Sequence, residues 1–277
     1  METLTPAPQP KLSLRDVGKE FVLPRTGERT VALESVDLDV APGEFLCIVG
    51  PSGCGKTTIL NMIAGLTQPT SGAITIDGKA IDGPGAERGV VFQDYALFPW
   101  KTVRENIEFG PRYRIGSTMT RQERGERVRQ LIDLVALNGA ENKYPYELSG
   151  GMRQRCAFAR ALANEPDVLL MDEPFAALDA QTRVILQEEL LRIWGEEDAE
   201  AGRRTVVFIT HGIDEAVFLA DRIVVMSSHP GRITEIKSVE LPRPRKPEIR
   251  ASAAFQELVE EIWQLIRHEA YAATIRA

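Results

Sequence analysis

The stretch Val49-Gly50-Pro51-Ser52-Gly53-Cys54-Gly55-Lys56-Thr57-Thr58 follows an apolar run, Phe45-Leu46-Cys47-Ile48, that reads as a buried strand. It precedes Ile59, Leu60, Met62, Ile63 and Leu66, whose spacing predicts a helix. A strand, a glycine-rich turn and a helix opening on Lys-Thr-Thr is the setting in which G-x-x-x-x-G-K-[ST] becomes a phosphate-binding loop. The glycines let the backbone curl so that successive N–H groups point at phosphate oxygens. The helix beginning near Lys56 adds its free N–H groups and the positive end of its dipole. Lys56 is then placed on the β- and γ-phosphates, and the Thr57 hydroxyl on Mg²⁺. The alternative is a glycine-rich turn with an exposed lysine.

A chain of 277 residues allows one large domain or two small ones. With 43% hydrophobic and 26% charged residues it can build a core. Its net charge of −7 gives broad nucleic-acid binding no electrostatic support. Cys47, Cys54 and Cys156 form no C-x-x-C pair or metal spacing and suit reduced thiols in a cytosolic protein. Cys47 and Cys156 read as packing residues, and Cys54 as a thiol reachable from the phosphate loop. Residues 1–11 lack the basic-then-apolar pattern of a signal peptide and read as a flexible tail. No apolar run approaches the ~18 residues of a spanning helix.

Leu12 to Val17 and Val36 to Val40 alternate like half-buried strands, with a turn marked by Pro24, Thr26 and Gly27 between them. Further strands are expected over Ala73–Asp77 and Arg88–Phe92, the latter ending at Gln93. From Asp94 to about Asn164 the strand signal stops, and Thr102–Phe109, Arg121–Leu137 and Gly151–Ala163 read as helices. Val168-Leu169-Leu170-Met171 is a strand buried on both faces, ending in Asp172-Glu173. A helix over Ala180–Trp194, a strand over Thr205–Ile209, a short helix from Gly212 to Leu219 and a strand over Arg222–Met226 follow. This order predicts a mostly parallel α/β core, an antiparallel β portion near the start and a helical insertion over about 94–164. Leu241 to Pro247 is a proline-stiffened link. Beyond it Phe255, Leu258, Val259, Ile262 and Ile266 form an apolar helical stripe, read as a packing face.

In open α/β sheets the ligand lies at the carboxyl ends of the strands. Three strands bring polar residues to that edge: the one before the phosphate loop, the one ending in Asp172-Glu173 and the one ending in Thr210-His211. Asp172 is placed to hold Mg²⁺ directly or through water. Glu173 is placed to take a proton from an attacking water. The alternatives are a charged strand-to-helix turn for Asp172-Glu173-Pro174 and a helix cap for His211.

Leu148-Ser149-Gly150-Gly151-Met152-Arg153-Gln154-Arg155 resembles the signature motif of the ATP-binding cassette ATPases. Physically it is a second anion-binding helix start, with Ser149 and two glycines allowing close backbone approach. The resemblance covers roughly Leu12 to Arg245 and implies a P-loop NTPase fold of that type. It implies that Ser149, Gly150, Gly151 and the loop Ala177-Leu178-Asp179 serve the ATP of the other subunit in a head-to-tail dimer, two ATP molecules being sandwiched between two cassettes. Phe21 matches the aromatic residue that stacks on adenine. Gln93 matches the glutamine linking Mg²⁺ and γ-phosphate to the helical part, and His211 the histidine that contacts the γ-phosphate. Gly212 departs from the family, where many members have Asp, and is expected to loosen the local turn.

Asp94-Tyr95-Ala96-Leu97-Phe98-Pro99-Trp100 is either core for the helical part or a partly exposed groove for a helix of a membrane partner. The resemblance favours the groove, since transport cassettes couple to their permeases there. Phe98 to Asn106, His229 to Ile233 and Leu241 to Arg245 are similar to segments of the taurine, alkanesulfonate and nitrate uptake cassettes. That implies an energy-coupling ATPase, peripheral on the cytoplasmic face of a membrane, working with permease subunits and indirectly with an extracytoplasmic solute-binding protein. The competing class is a soluble cassette ATPase of DNA repair or translation. Members of that class usually carry two cassettes, a long coiled coil or a basic surface, none of which is read here. A regulatory nucleotide-binding module without turnover is disfavoured by Glu173 and His211.

Overall fold

The computed structural model describes residues 9–23, 27–113, 119–195, 203–227 and 230–276, with side chains described as far as 269. In chain order it runs through β1 (Leu12–Val22), β2 (Arg29–Val40), β3 (Phe45–Val49), α1 (Lys56–Ile63), β4 (Ser71–Ile76), β5 (Lys79–Ala80) and β6 (Arg88–Val91). Three helices follow, α2 (Val103–Tyr113), α3 (Arg121–Leu134) and α4 (Gly150–Leu162). The rest is β7 (Val168–Asp172), α5 (Ala180–Trp194), β8 (Thr205–Ile209), α6 (Ile213–Leu219), β9 (Arg222–Ser227), β10 (Arg232–Ser238) and α7 (Ala253–Arg276).

Two sheets form. An antiparallel sheet has the order β2-β1-β4-β5, and a six-stranded sheet the order β10-β9-β3-β8-β7-β6. In the second, β3, β6, β7, β8 and β9 run parallel and β10 is an antiparallel edge. The parallel strands alternate their side chains between two apolar clusters. Leu46, Ile48, Leu170, Val207 and Val224 face β1, β2 and α1, while Phe45, Cys47, Leu169, Phe208 and Ile223 face the helices. Burial on both faces is why β3, β7 and β8 read as continuous apolar runs. Each Val, Leu, Ile or Phe so buried contributes roughly 2 kcal/mol.

The expected order of elements is present, and the differences at their edges have physical causes. β1 and β2 are longer than the alternating stretches because register shifts after Leu14 and Val17 interrupt the two-residue period. β10 escaped the sequence reading for a similar reason: its isoleucines, Ile233 and Ile236, are three residues apart, and the ladder shifts register between Ile233 and Glu235. α2 continues through Gly110-Pro111 to Tyr113, past the expected stop at Phe109. α3 ends at Leu134, and Ala136 takes a left-handed φ of 49° while Val135 and Leu137 stay buried. Of the stretch read as a flexible tail, residues 1–8 lie outside the described residues. Lys11 is fixed by ion pairs to Asp77 at 2.8 Å and Asp167 at 3.1 Å. The turn residues Pro24 and Thr26, and His229, also lie outside the described residues.

α2, α3 and α4 pack on one another through Val103, Ile107, Val128, Leu131, Ile132 and Phe158. The stripe on α7 packs as expected: Phe255 and Ile262 are buried, with Leu258, Val259 and Ile266 against the same cluster.

Candidate functional site

β3 delivers the chain to the carboxyl edge of the parallel sheet at Gly50, and α1 begins at Lys56. Gly55 caps α1 with a φ of 90°, and a Cβ there would lie 2.5 Å from Leu33 Cδ2, so conformation and space both require glycine. At Gly53 (φ 79°) a Cβ would meet no atom within 4 Å, since this bend faces the open side of the loop.

Lys56 is only 5% exposed, and its Nζ donates to the carbonyls of Gly50 at 2.8 Å and Pro51 at 3.0 Å. The side chain is therefore held inside the loop, with its charge directed into the phosphate cradle. Cys54 differs from expectation. It is fully buried, belongs to the apolar cluster beneath β1 and β2, and lies 3.6 Å from Lys56 Nζ. Burial pushes its thiol up despite Lys56. It is a packing residue and not a reachable thiol, because the loop turns its Cβ toward the sheet.

A cleft of about 410 Å³ brings together Ser52 to Thr58, Gln93, Glu173 and His211, joined by Ala32 from β2. Four segments far apart in sequence thus converge: the phosphate loop and the carboxyl ends of β6, β7 and β8. Ala32 is the member that sequence reading missed, since an alanine in a strand carries no chemical signal. Glu173 takes a left-handed φ of 45°, uncommon outside glycine and asparagine, and its N–H donates to Ile209 O at 3.0 Å. Its Oε1 lies 2.5 Å from His211 Nε2.

Asp172 ends β7 beneath the loop, 9% exposed, and its Oδ1 is buried with no hydrogen-bond partner. Burial pushes its carboxyl up, against a hydrogen bond from the Thr57 side chain and the charge of Lys56. A buried carboxylate oxygen without a donor, beside a threonine hydroxyl and facing a phosphate cradle, fits a small divalent cation. Among the described residues no group of three or more His, Cys, Asp or Glu could hold a metal. A cation here would therefore complete its shell with phosphate oxygens and water, as Mg²⁺ does in nucleotide sites.

Phe21, Ser149, Gly150, Gly151 and Asp179 do not line this cleft. Phe21 is 46% exposed on β1, with Lys19 Nζ 5.2 Å from its ring centroid. Ser149 caps α4, its Oγ accepting the Met152 N–H at 3.3 Å, and Gly150 and Gly151 form the helix start. Asp179 caps α5, accepting from the Thr182 N–H at 2.9 Å and the Thr182 hydroxyl at 2.7 Å, which holds its carboxyl below its ordinary range. Gly212 has φ −84°, a conformation open to any residue. Its N–H is tied to Thr210 Oγ1 at 2.9 Å.

The segment after Gln93 divides between the two readings given to it. Tyr95 and Leu97 pack on the core cluster, whereas Trp100 is 70% exposed. Phe98, Phe109 and Tyr113 continue from Trp100 as a ladder of rings 4.5 to 5.7 Å apart. Buried Asn106 braces this surface, donating to the carbonyls of Phe98, Lys101 and Thr102 and accepting the Phe98 N–H at 2.9 Å.

Comparisons with known proteins agree with this geometry. Residues 33–176 match the ABC transporter family. An uncharacterised ABC transporter ATP-binding protein of Methanocaldococcus jannaschii is 50% identical over 259 residues, covering 94% of this chain and 92% of the relative. The nitrate import ATP-binding protein of Synechococcus elongatus is 49% identical, covering 84% and 82%. The taurine import ATP-binding protein of Jannaschia sp. is 44% identical, covering 92% and 93%. Among solved structures, an ATP-binding cassette captured as a dimer in a post-hydrolysis state with ADP and Pi superposes with a TM-score of 0.72 at 32% identity. That match covers 83% of this chain and all of that one. The phosphate loop, the Asp172-Glu173 strand end and His211 share one sheet edge in a chain this similar to known cassettes, so it is an ATP-binding cassette ATPase and belongs to the ABC transporter family.

Proposed function

We propose that this chain powers a membrane importer of small anionic solutes, of the nitrate, sulfonate or taurine type, by closing with a second cassette over ATP and reopening after hydrolysis. The observation that carries the reading is the convergence of the phosphate loop, Gln93, Glu173 and His211 on one cleft while Ser149–Gly151 and Asp179 lie outside it. A second nucleotide surface placed apart from the first suits a partner's ATP. The dimeric cassette with ADP and Pi supports that arrangement, and the nitrate and taurine import relatives support the cargo class. The companion cassette is most simply a second copy of this chain.

In this reading the backbone N–H groups of Gly50 to Thr58 and the Lys56 ammonium bind the β- and γ-phosphates, and Phe21 stacks on adenine. Thr57, Gln93 and Asp172 would hold Mg²⁺, which when bound neutralises charge on the phosphate oxygens. Glu173 accepts a proton from the attacking water as its oxygen bonds to the γ-phosphorus and the bond to ADP breaks. His211 donates to the γ-phosphate. Ser149, Gly150, Gly151 and Asp179 of each copy face the ATP of the other.

Gln93 leads directly into the surface built by Tyr95 to Trp100, so a shift at the γ-phosphate is passed to whatever docks there. The exposed Trp100 beside an aromatic ladder suits a helix of a permease subunit. No helix among the described residues is long and apolar enough to cross a membrane, in keeping with a peripheral subunit on the cytoplasmic face. Contact with an extracytoplasmic solute-binding protein is then indirect, through the permease. The test is to purify the chain from its native membranes, identify what accompanies it, and reconstitute the complex. Co-purification of a permease, with ATP-dependent uptake of nitrate, taurine or an alkanesulfonate, is the expected result. Recovery with nucleic acid or ribosomes would favour the soluble class.

A further inference from the structure

A buried line of polar side chains joins the C-terminal segment to the turn that carries His211. Arg250, in the short 3₁₀ segment Pro247–Ala251, donates from Nη2 to Gln187 Oε1 on α5 at 2.6 Å. Gln187 is 2% exposed and donates from Nε2 to Glu215 Oε1 on α6 at 2.7 Å. The other Glu215 oxygen accepts the hydroxyl of Thr210, which itself accepts the Gly212 N–H at 2.9 Å. His211 lies between those two residues, at 50% exposure.

The line is built to be rigid. Glu215 and Thr210 are 7% and 3% exposed, and the Arg250 guanidinium lies 4.1 Å from the ring centroid of Phe218 and 5.9 Å from that of Phe255. Gln187 is the one side chain here that suits its place. Its carbonyl must accept from a cation while its amide donates to a carboxylate, a polarity that neither Glu nor Leu reproduces. Gln187, Glu215, Arg250 and His211 also line one cavity of about 690 Å³ that reaches Gly50, Pro51 and Ser52 of the phosphate loop. The histidine turn is thus tied on one side to the nucleotide cleft and on the other to the start of the C-terminal extension.

We infer that Gln187 and Arg250 are positioning residues for His211: by orienting Glu215 they fix Thr210, and they make hydrolysis depend on the docking of the segment after Pro247. The inference rests on the reading of His211 as the γ-phosphate contact. Neither residue lines the cleft of the phosphate loop, Gln93, Glu173 and His211, so their loss should lower turnover without weakening ATP binding. A half-ordered buried network is costly, and loss of one charged hydrogen bond in it should lower the turnover rate about tenfold.

The experiment uses the full chain and four variants, Gln187→Glu, Gln187→Leu, Arg250→Met and Arg250→Lys, beside His211→Ala. Three quantities are read: steady-state ATP turnover, MgATP affinity, and hydrogen exchange of the peptide spanning residues 209–216. Gln187→Glu, Gln187→Leu and Arg250→Met are expected to speed exchange at Gly212 and cut turnover about tenfold, with affinity within about twofold. Arg250→Lys keeps a cationic donor and should recover most of both. Unchanged exchange at Gly212 in Gln187→Glu and Arg250→Met overturns the positioning role, whatever His211 does. Faster exchange with undiminished turnover, in a protein where His211→Ala abolishes turnover, overturns the link to hydrolysis. If His211→Ala itself hydrolyses normally, the γ-phosphate reading falls, and faster exchange at Gly212 still upholds the positioning.

Discussion

Glu173 Oε1 and His211 Nε2 lie 2.5 Å apart across the carboxyl ends of two neighbouring parallel strands. The backbone places both residues there: the Glu173 N–H is bonded to Ile209 O, one residue past β7, and Glu173 takes a left-handed φ. Each residue therefore fixes the other, and both face the cleft that holds Lys56 and Gln93. On the proposed reading of His211 as the γ-phosphate contact, an incoming γ-phosphate would compete with the Glu173 carboxylate for the same histidine N–H. In the proposed reaction the pair would act as a switch between a carboxylate engaged by His211 and one free to take a proton from water.

Replacing Glu173 by Gln removes the proposed proton acceptor while keeping the shape and one hydrogen-bonding oxygen. ATP binding should persist, and the hydrolysis rate should fall by about a hundredfold or more. ATP-bound variant should accumulate as a dimer, read by size-exclusion chromatography with light scattering. Wild-type turnover in this variant would remove Glu173 from its role, and a monomer with bound ATP would remove the sandwich.

The burial of Cys54 makes a separate expectation for thiol chemistry. All three cysteines are buried. Burial raises the thiols of Cys47 and Cys54 and pushes that of Cys156 up to about 12, so reactive thiolate is scarce. Intact-mass measurement after treatment with iodoacetamide should show almost no adduct at neutral pH, with MgATP or without it, and three adducts after unfolding. Fast modification of Cys54 that MgATP suppresses would show that the loop opens to expose it.

Much of this site was legible because its chemistry is local in sequence. Gly50 to Thr58 and Asp172-Glu173 declare themselves by residue type, and the apolar runs before them place both at a sheet edge. What could not be read depends on side-chain direction and long-range pairing. Cys54 follows an exposed loop glycine, Gly53, and yet points inward. The bulge in β10 hides a strand, and Gln187, Glu215 and Arg250 come from three separate elements and meet only in the folded chain.

Glu44, at the start of the loop's strand, gives a pH signature distinct from that of the cleft. It is 8% exposed, accepts the Ala41 N–H at 2.7 Å and pairs with Arg222 at 3.0 Å. Burial outweighs these contacts, with a push from Asp221, and raises its carboxyl above the ordinary glutamate range. The folded chain therefore holds this proton more tightly than the unfolded one. The stability it contributes is full below the ordinary glutamate range and is lost as pH rises through the raised value. Glu44→Gln removes that slope. Denaturant titrations from pH 4 to 8 should show its deficit against wild type shrinking as pH rises, and a widening deficit would mean that the Arg222 pair dominates.

Arg245 ties the extended link to the core of the sheet domain. It is 4% exposed, and its Nη1 donates to the carbonyls of Val217, Phe218 and Ala220, while Nη2 reaches Val239 O. Three of these acceptors lie at the C-terminal end of α6, where backbone carbonyls lack helical partners and a cation is favoured by the helix dipole. Arg245→Met would replace the aliphatic stem and leave those carbonyls buried without donors. The expected cost is about 3 kcal/mol, a fall in Tm of roughly 6–12 °C for a chain of this size. Because α6 follows His211 directly, the loss should also loosen that turn, so hydrogen exchange in α6 should rise before the sheet unfolds. A variant as stable as wild type, with α6 equally protected, would mean that water or repacked neighbours satisfy these carbonyls and that the link is not what holds α6 in place.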